Sequence, residues 1–151
     1  MKKTFLLPLF SFCTSFLFAQ NPSDILGIWL NEEGDAQIEV FKEDNKFFGK
    51  IVWLEKAKDE NGEWMLDIKN PDEKLKSRRK LGMTVIHNLV WDSKDKEWSE
   101  GKIYDAREGD TYSLYAKTEG IDVLNLRGYI GFSLFGKTTS WNRSILMQIS
   151  N

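Results

Sequence analysis

The sequence contains few of the residues from which metal centres and catalytic sites are usually built. It has one cysteine, Cys13, and one histidine, His87, in 151 residues. Zinc sites are built from several cysteine and histidine ligands, so this class of metal site is excluded. The sequence also has no glycine-rich phosphate-binding loop and no dinucleotide-binding fingerprint. We therefore expect no metal and no cofactor.

Catalysis has little support for the same reason. A Ser-His-Asp triad would have to use His87, which lies in an apolar run between Ile86 and Leu89 and is more simply explained as a structural histidine. Glycoside hydrolysis needs only two carboxylates. The 23 acidic residues leave that chemistry open, but none of them stands in a distinctive motif. No catalytic residue is assigned, and an enzyme is the weaker interpretation.

One long apolar run is present, from Phe5 to Phe18, and it follows two lysines. Its 14 residues are too few for a membrane-spanning helix, which needs about 20. The run is followed by the small residue Ala19, the kind of residue that precedes a signal-peptidase cleavage site. The pattern predicts a signal peptide over residues 1–19, with a membrane anchor as the alternative. We expect an exported protein, located in the periplasm or outside the cell.

Removal of that segment changes the composition of the remaining chain. Cys13 leaves with it, so the 132 residues from 20 to 151 have no disulfide and must be stabilised by a packed core. Lys2 and Lys3 leave as well, which takes the formal net charge from −2 to −4. Phosphate binding needs a basic face, so this balance disfavours nucleic acid and anionic membranes as partners. The length suits a single domain.

The remaining chain is predicted to consist mainly of short strands separated by turns. In the segment 36–40, apolar Ala36, Ile38 and Val40 alternate with polar residues, as in a strand with one buried face. Stretches rich in turn residues, such as 43–46 and 118–120, separate the segments. The predicted strands are 27–31, 36–40, 47–54, 83–91, 97–104, 111–117, 121–128 and 137–143.

Eight antiparallel strands of this kind form either a closed barrel or a β-sandwich. Two motifs favour the barrel, namely Gly27-Ile28-Trp29 in the first strand and Trp141-Asn142-Arg143 in the last. They resemble the lipocalin and calycin barrels, in which the tryptophan plugs the closed end and the arginine lies across its indole. We predict an all-β, antiparallel, eight-stranded lipocalin-like barrel with one short helix in a long loop. The expected structural residues are Gly27, Trp29, Trp141 and Arg143.

The strand pattern stops between Glu55 and Gly82, where the chain is highly charged. Within this loop, Asn70 is predicted to cap a short helix that has Pro71 at its first position and ends near Ser77. A connection this long in a small domain is usually functional or disordered. Several apolar residues predict an ordered loop packed across one opening of the barrel. They are Trp64, Met65, Leu66 and Leu75.

Further stretches match one family over nearly all of the chain after residue 19. They are Gly27-Ile28-Trp29, 49–54, 67–71, Ser77-Arg78, Leu81-Gly82, 101–105, Arg127-Gly128-Tyr129 and Trp141-Asn142-Arg143. Together they resemble the secreted bacterial family catalogued as domain of unknown function 2147. The resemblance implies a lipocalin-like barrel in the cell envelope and brings no established activity. Many members carry a cysteine near Phe48, and others near Tyr129 and Phe135, which this chain lacks.

Two groups of residues beside the long loop and one hairpin are candidates for ligand binding. Asn70, Arg78 and Arg79 flank the predicted helix, where an arginine can hold a carboxylate or phosphate through two hydrogen bonds. A solvated basic turn is the simpler explanation of these residues. The second group consists of three residues that flank the hairpin. They either line the binding site or pack against each other across the strands beside a turn. They are Tyr104, Asp105 and Tyr112.

Arg127 is the remaining candidate for ligand binding. It follows Leu124 and Leu126 in a predicted strand and therefore faces away from both. This orientation places it inside a polar cavity or outside in solvent, depending on which face of the strand is the core.

Two functions remain open at this point. In the first, the barrel mouth binds a small amphipathic or apolar molecule beneath the long loop, with Arg78 and Arg79 near an anionic head. In the second, the barrel is filled, and the protein is a structural or interaction protein that engages another envelope component. An internal cavity would favour the first function, and a packed interior the second.

Overall fold

The computed structural model describes residues 20–147, and eight strands account for most of them. Each strand pairs antiparallel with the next, and the last strand pairs with the first, which closes the barrel. This confirms the predicted eight-stranded antiparallel barrel and rules out the sandwich. The strands are β1 (Gly27–Leu30), β2 (Ala36–Glu43), β3 (Lys46–Leu54), β4 (Thr84–Asp92), β5 (Glu97–Asp105), β6 (Asp110–Glu119), β7 (Val123–Tyr129) and β8 (Gly136–Ser144).

The described helical structure consists of 3₁₀ turns, at Pro22–Ile25, Glu73–Leu75 and Ser133–Phe135. Between residues 20 and 147 there is no helix with the length and apolar character needed to cross a membrane. The predicted signal peptide, residues 1–19, lies outside the described residues.

One half of the barrel interior is filled by large apolar side chains. Trp29, Trp98 and Leu89 are 0% exposed, and Phe47 is 2% exposed. The ring of Phe47 meets that of Trp98 edge to face, with the ring centroids 6.4 Å apart. Full burial of an apolar side chain contributes roughly 1.5–3 kcal/mol, so this cluster is a large part of the core. Ile25, in the turn before β1, is also fully buried.

Arg143 closes this filled end of the barrel. Arg143 pairs with Trp29 where β8 meets β1, and its guanidinium carbon lies 4.2 Å from the centroid of the Trp29 ring. Nη1 donates to the carbonyl of Leu26 at 2.9 Å, and Nη2 donates to the carbonyl of Asp24 at 2.7 Å. The side chain of Arg143 thus connects the first strand, the last strand and the segment that precedes β1.

Gly27 allows the arginine to take this position. Its φ is +122°, a backbone conformation that side-chain-bearing residues rarely adopt. A β carbon at this residue would lie 2.9 Å from Nη1 of Arg143. Trp141, the fourth residue expected to be structural, is 6% exposed and pairs with Leu124 across β7 and β8.

The long loop contains a short helix, as predicted, but the helix is shorter than the predicted segment 70–77 and has a different cap. The structure has a single 3₁₀ turn at Glu73–Leu75, and its cap is Asp72, whose carboxylate accepts from the backbone N–H of Lys74. The side-chain oxygen of Asn70 accepts from the backbone N–H of Asp72 at 2.9 Å, which makes a local turn before the helix could begin. Asn70 therefore ends the preceding segment and does not cap a helix.

Candidate functional site

The half of the barrel opposite Trp29 encloses a cavity of about 1180 Å³ that opens to the surface. Ile38, Val85 and Leu114 are among its wall residues and are 4%, 6% and 1% exposed. Leu126 and Trp141 complete the buried part of the wall. Sites for small molecules usually measure about 300–1,000 Å³ and are lined mainly by apolar side chains. The cavity is somewhat larger than this range and has the apolar inner lining of such a site.

Four loops surround the opening, and we call them the rim: β1–β2, β3–β4, β5–β6 and β7–β8. Most acidic rim side chains already have partners. Arg107 forms ion pairs with Asp105 at 3.3 Å and with Glu33 at 3.5 Å. Glu108 accepts a hydrogen bond from the Tyr112 hydroxyl at 3.0 Å, and this bond is the main reason why the pKa of Tyr112 is raised. These carboxylates are therefore occupied by other rim residues.

The rim lysines differ from the acidic residues in this respect. Their ammonium groups have no ion pair or hydrogen bond with any residue between 20 and 147. Glu55 is a rim carboxylate that likewise has no ion pair or side-chain hydrogen bond with any residue between 20 and 147. The cavity lining has five acidic and five basic side chains, so its formal charges balance, and the lysines are the cations whose hydrogen-bonding capacity is left for a ligand. The rim lysines are Lys56, Lys69, Lys80 and Lys137.

Beside the cavity, a buried carboxylate holds the 55–82 loop on the barrel. Asp67 is 0% exposed, and its Oδ1 accepts from the Tyr104 hydroxyl at 2.7 Å. Its Oδ2 accepts from Arg78 Nε at 2.9 Å and from Asn70 Nδ2 at 2.8 Å. Burying a carboxylate is costly unless it is paired and hydrogen-bonded, and these three donors meet that requirement. The network joins the loop to strand β5.

The same network changes the acidity of Tyr104. Burial of the phenol, followed by its hydrogen bond to the Asp67 carboxylate, raises the pKa of Tyr104 above its ordinary value. The guanidinium of Arg78 lies 5.5 Å from the centroid of the Tyr104 ring and partly opposes this shift. A neutral phenol is thus favoured in the folded protein.

The structure therefore brings together three of the candidate binding residues, namely Asn70, Arg78 and Tyr104. They surround a carboxylate of the protein itself, and neither Asn70 nor Arg78 borders the cavity. The sequence pattern did not single out Asp67 as a site residue. A signal was available, because the 67–71 stretch belongs to the family resemblance and begins with Asp67, an acidic residue between Leu66 and Ile68.

Arg79 also lies outside the cavity. Its guanidinium is 4.7 Å from the centroid of the Trp64 ring, and the ammonium of Lys58 is 5.0 Å from the same centroid. Arg78 and Arg79, which the sequence suggested as the residues that hold a ligand's head at the barrel mouth, thus do not line the cavity. Arg78 is engaged by Asp67, and Arg79 stacks on an indole of the 55–82 loop.

Arg127 faces the outside of the barrel, which answers the question that the sequence left open. Its neighbours Leu126 and Gly128 line the cavity, so the residue between them points away from it. Nε donates to the carbonyl of Ser133 at 2.7 Å, and Nη2 donates to the carbonyl of Leu134 at 3.1 Å. Arg127 thus holds the β7–β8 loop. Of the candidate binding residues, Tyr104, Asp105 and Tyr112 line the cavity.

The structure places His87 away from the cavity. Its Nε2 is 3.1 Å from the carbonyl oxygen of Thr84, and its ring meets Phe48 edge to face with centroids 6.4 Å apart. Across the described part of the chain, no three histidine, cysteine, aspartate or glutamate side chains are grouped so that they could hold a metal ion.

Comparisons with known proteins place this barrel in a family. It is similar to the solved structure of protein HP1028 from the human pathogen Helicobacter pylori, which is described as belonging to the lipocalin family. The TM-score is 0.67 at 24% identity, with 80% of this chain and 82% of that chain covered, a likeness that shows the fold alone. No curated protein matches the chain. The family model described as "Uncharacterized protein conserved in bacteria (DUF2147)" matches residues 27–143, from β1 to β8. The chain therefore belongs to the DUF2147 family, as the sequence motifs indicated.

Proposed function

We propose that the protein binds an amphiphile, with its apolar part in the barrel cavity and an anionic head at the rim. The observation that carries this proposal is the cavity of about 1180 Å³ behind a rim of unpaired lysines. The lipocalin-like fold is compatible with such binding. The preference for an anionic head is attributed to the rim lysines, because Arg78 and Arg79 do not line the cavity.

The apolar part of the ligand would lie against the buried wall. Ile38, Leu114 and Leu126 are each at most 4% exposed, and Trp141, which is 6% exposed, is also part of this apolar wall. Transfer of apolar surface from water is worth about 25 cal/mol per Å². A hydrocarbon chain therefore gains from entering the cavity, whereas a small polar molecule finds few partners on this wall.

The head group would remain at the opening, where water and charge are available. The rim acids Asp105 and Glu108 are already held by Arg107 and Tyr112, which leaves the lysines to interact with a ligand. An ammonium group attracts phosphate or carboxylate as a point charge. Because the rim lysines are at least partly exposed to solvent, we expect the preference to weaken at high salt.

The alternative of an interaction protein with a filled barrel fits the half around Trp29 and Trp98 only. The other half contains the cavity, which a filled barrel would not have.

Binding can be tested with three ligands that share one alkyl chain and differ in the head: decyl phosphate, decanol and decyltrimethylammonium. Calorimetry on detergent-free protein should show the tightest binding for the phosphate and the weakest for the cation. We expect dissociation constants of tens of micromolar, or about −6 kcal/mol. Absence of binding for all three ligands would overturn the proposal.

A cavity-filling variant provides the control for location. A β carbon at Gly128 would lie 3.6 Å from its nearest neighbour, the Cβ of Tyr112, so a side chain fits there and enters the cavity. Gly128→Leu should abolish binding of all three ligands, while circular dichroism and the melting temperature show an intact barrel. Unchanged binding in this variant would place the ligand outside the cavity.

Export of the protein is a separate proposal, supported by the lysines, the apolar run and Ala19 in the first 19 residues. Mass spectrometry of the protein recovered from the producing cells should find Gln20 as the first residue. A membrane-retained chain that still contains residues 1–19 would contradict it.

A further inference from the structure

The β7–β8 loop exposes an unusual amount of apolar surface. Ile130 is 69% exposed, Phe132 and Leu134 are each 79% exposed, and Phe135 is 77% exposed. Single exposed apolar residues are common on protein surfaces, but a cluster of them marks an interaction site. Here four large side chains are concentrated within six consecutive residues. We therefore expect the apolar side chains at the loop tip to be buried against a partner.

The loop is held in this exposed conformation from outside the barrel. Arg127 donates to the carbonyls of Ser133 and Leu134, and its Nη1 also donates to the Thr138 hydroxyl at 3.0 Å. The backbone N–H of Phe135 donates to the carbonyl of Phe132 at 3.1 Å. Since the loop is already ordered, little conformational entropy is lost when it binds a partner.

The position of the loop connects it with the cavity. Ile130 and Phe135 line the opening, whereas Phe132 and Leu134 do not. The apolar wall of the cavity thus continues outwards onto the loop. A partner that covers the loop would lie directly against the opening.

The charge of this hairpin is opposite to that of the whole chain. No aspartate or glutamate occurs after Asp122, whereas Arg127, Lys137 and Arg143 lie in that part of the sequence. The acidic excess of the protein is therefore carried by the residues before β7. Lys137 follows the loop directly and belongs to the rim lysines, whose ammonium groups have no partner in residues 20–147.

We propose that the β7–β8 loop docks on the surface of an anionic lipid bilayer, with Phe132 and Leu134 inserted among the lipids and Lys137 at the head groups. Exposed apolar side chains flanked by cations are the combination that binds such a surface. A bilayer accepts projecting side chains without needing a matching groove. The inference rests on the proposed function, because the benefit of docking would be to bring the cavity opening to a source of amphiphiles.

Docking can be measured by flotation with two kinds of vesicle, phosphatidylcholine alone and phosphatidylcholine mixed with phosphatidylglycerol. The protein should float with the mixed vesicles and less with the neutral ones, and added salt should reduce the difference. The double variant Phe132→Ser with Leu134→Ser should lose at least about tenfold in partitioning, because two large apolar contacts are removed. The matched control is Ile121→Ser, since Ile121 is 68% exposed and lies in the β6–β7 turn at the opposite end. This control should float like the unchanged protein.

Failure of the inference and failure of the proposed function give different results. Gly128→Leu should lose decyl phosphate but float normally, because the loop is untouched. The inference is overturned if the protein ignores the mixed vesicles or if the double variant floats as well as the control. It is also overturned if light scattering shows a dimer that depends on Phe132 and Leu134 while vesicles are not bound, because the loop would then join two copies of the chain.

Discussion

The guanidinium of Arg143 covers the indole of Trp29 at 4.2 Å, across the seam where the last strand meets the first. The indole N–H donates to the carbonyl of Ile25 at 2.8 Å, and Arg143 donates to the carbonyls of Asp24 and Leu26 in the same segment. Both side chains therefore stabilise the segment before β1 as well as each other.

The first prediction concerns this pair. Trp29→Ala should lower the free energy of unfolding by about 3–5 kcal/mol, as expected for a buried aromatic. Arg143→Ala should cost about 2–4 kcal/mol, because a cation–π contact and several hydrogen bonds are lost. The double variant should lose less than the sum, since the two side chains share a contact. Urea denaturation of the four proteins provides the measurement, and fully additive losses would contradict the coupling.

Gly27 is the subject of the second prediction. In Gly27→Ala the new methyl group would meet Nη1 of Arg143 at 2.9 Å in a backbone conformation with φ +122°. Gly120→Ala is the matched control, because its φ is +63° and no atom of residues 20–147 lies within 4 Å of the added carbon. We expect the control to cost about 1–2 kcal/mol through backbone strain alone and Gly27→Ala to cost more. Equal melting temperatures for the two variants would show that Arg143 moves aside freely.

The third prediction concerns the buried carboxylate under the 55–82 loop. Arg78→Ala leaves Asp67 without its cation and should destabilise the protein by about 3–5 kcal/mol. Hydrogen exchange should show the 55–82 loop opening first, while β1 and β8 stay protected. Arg79→Ala is the control, because Arg79 stacks on Trp64 at 4.7 Å and makes no contact with Asp67. Equal effects of the two substitutions would contradict the anchoring role.

Tyr104 leads to a prediction on pH dependence. Burial and the Asp67 carboxylate raise the pKa of Tyr104, so the neutral phenol is favoured in the folded state. A pKa raised on folding contributes stability below the unfolded value of about 10, and this contribution is lost as the pH rises through the folded value. Tyr104→Phe should therefore show a smaller loss of melting temperature above pH 10 than the unchanged protein. Parallel pH profiles would contradict this assignment.

The last prediction separates two neighbouring cations in ligand binding. Lys80 lines the cavity opening, whereas Arg79 lies outside on Trp64. Lys80→Ala should weaken decyl phosphate binding about fivefold and leave decanol binding unchanged. Arg79→Ala should leave both unchanged. If Arg79→Ala had the larger effect in calorimetry, the original expectation from the sequence would be correct, and the rim lysines would not hold the head group.

The strands were predictable because their signals are local. The alternation of Ala36, Ile38 and Val40 and the polar turn at 43–46 contain the information needed for β2 and its hairpin. The two Trp-containing motifs then indicated closure, which the β1–β8 pairing confirms. The strands were therefore recoverable from neighbouring residues, whereas closure was recovered from two motifs at opposite ends of the chain.

The site was less predictable because its parts are distant in sequence. Asp67 and Arg78 are 11 residues apart, and Tyr104 is 37 residues from Asp67. Nothing local to Arg78 shows that it has a buried partner, so it resembled a free cation. Three of the rim lysines are widely spaced within the β3–β4 loop, namely Lys56, Lys69 and Lys80, and Lys137 comes from β8, so they form no motif.

The barrel is filled at one end and hollow at the other, although its hydrogen-bonded wall is continuous. Trp141 lies at the boundary, buried in the core on one side and lining the cavity on the other. For the amphiphile proposed above, the filled half would form a fixed floor, and the depth above it would set an upper limit on the length of the alkyl chain. Chains within that length would be held completely, and longer ones would leave methylene groups in water.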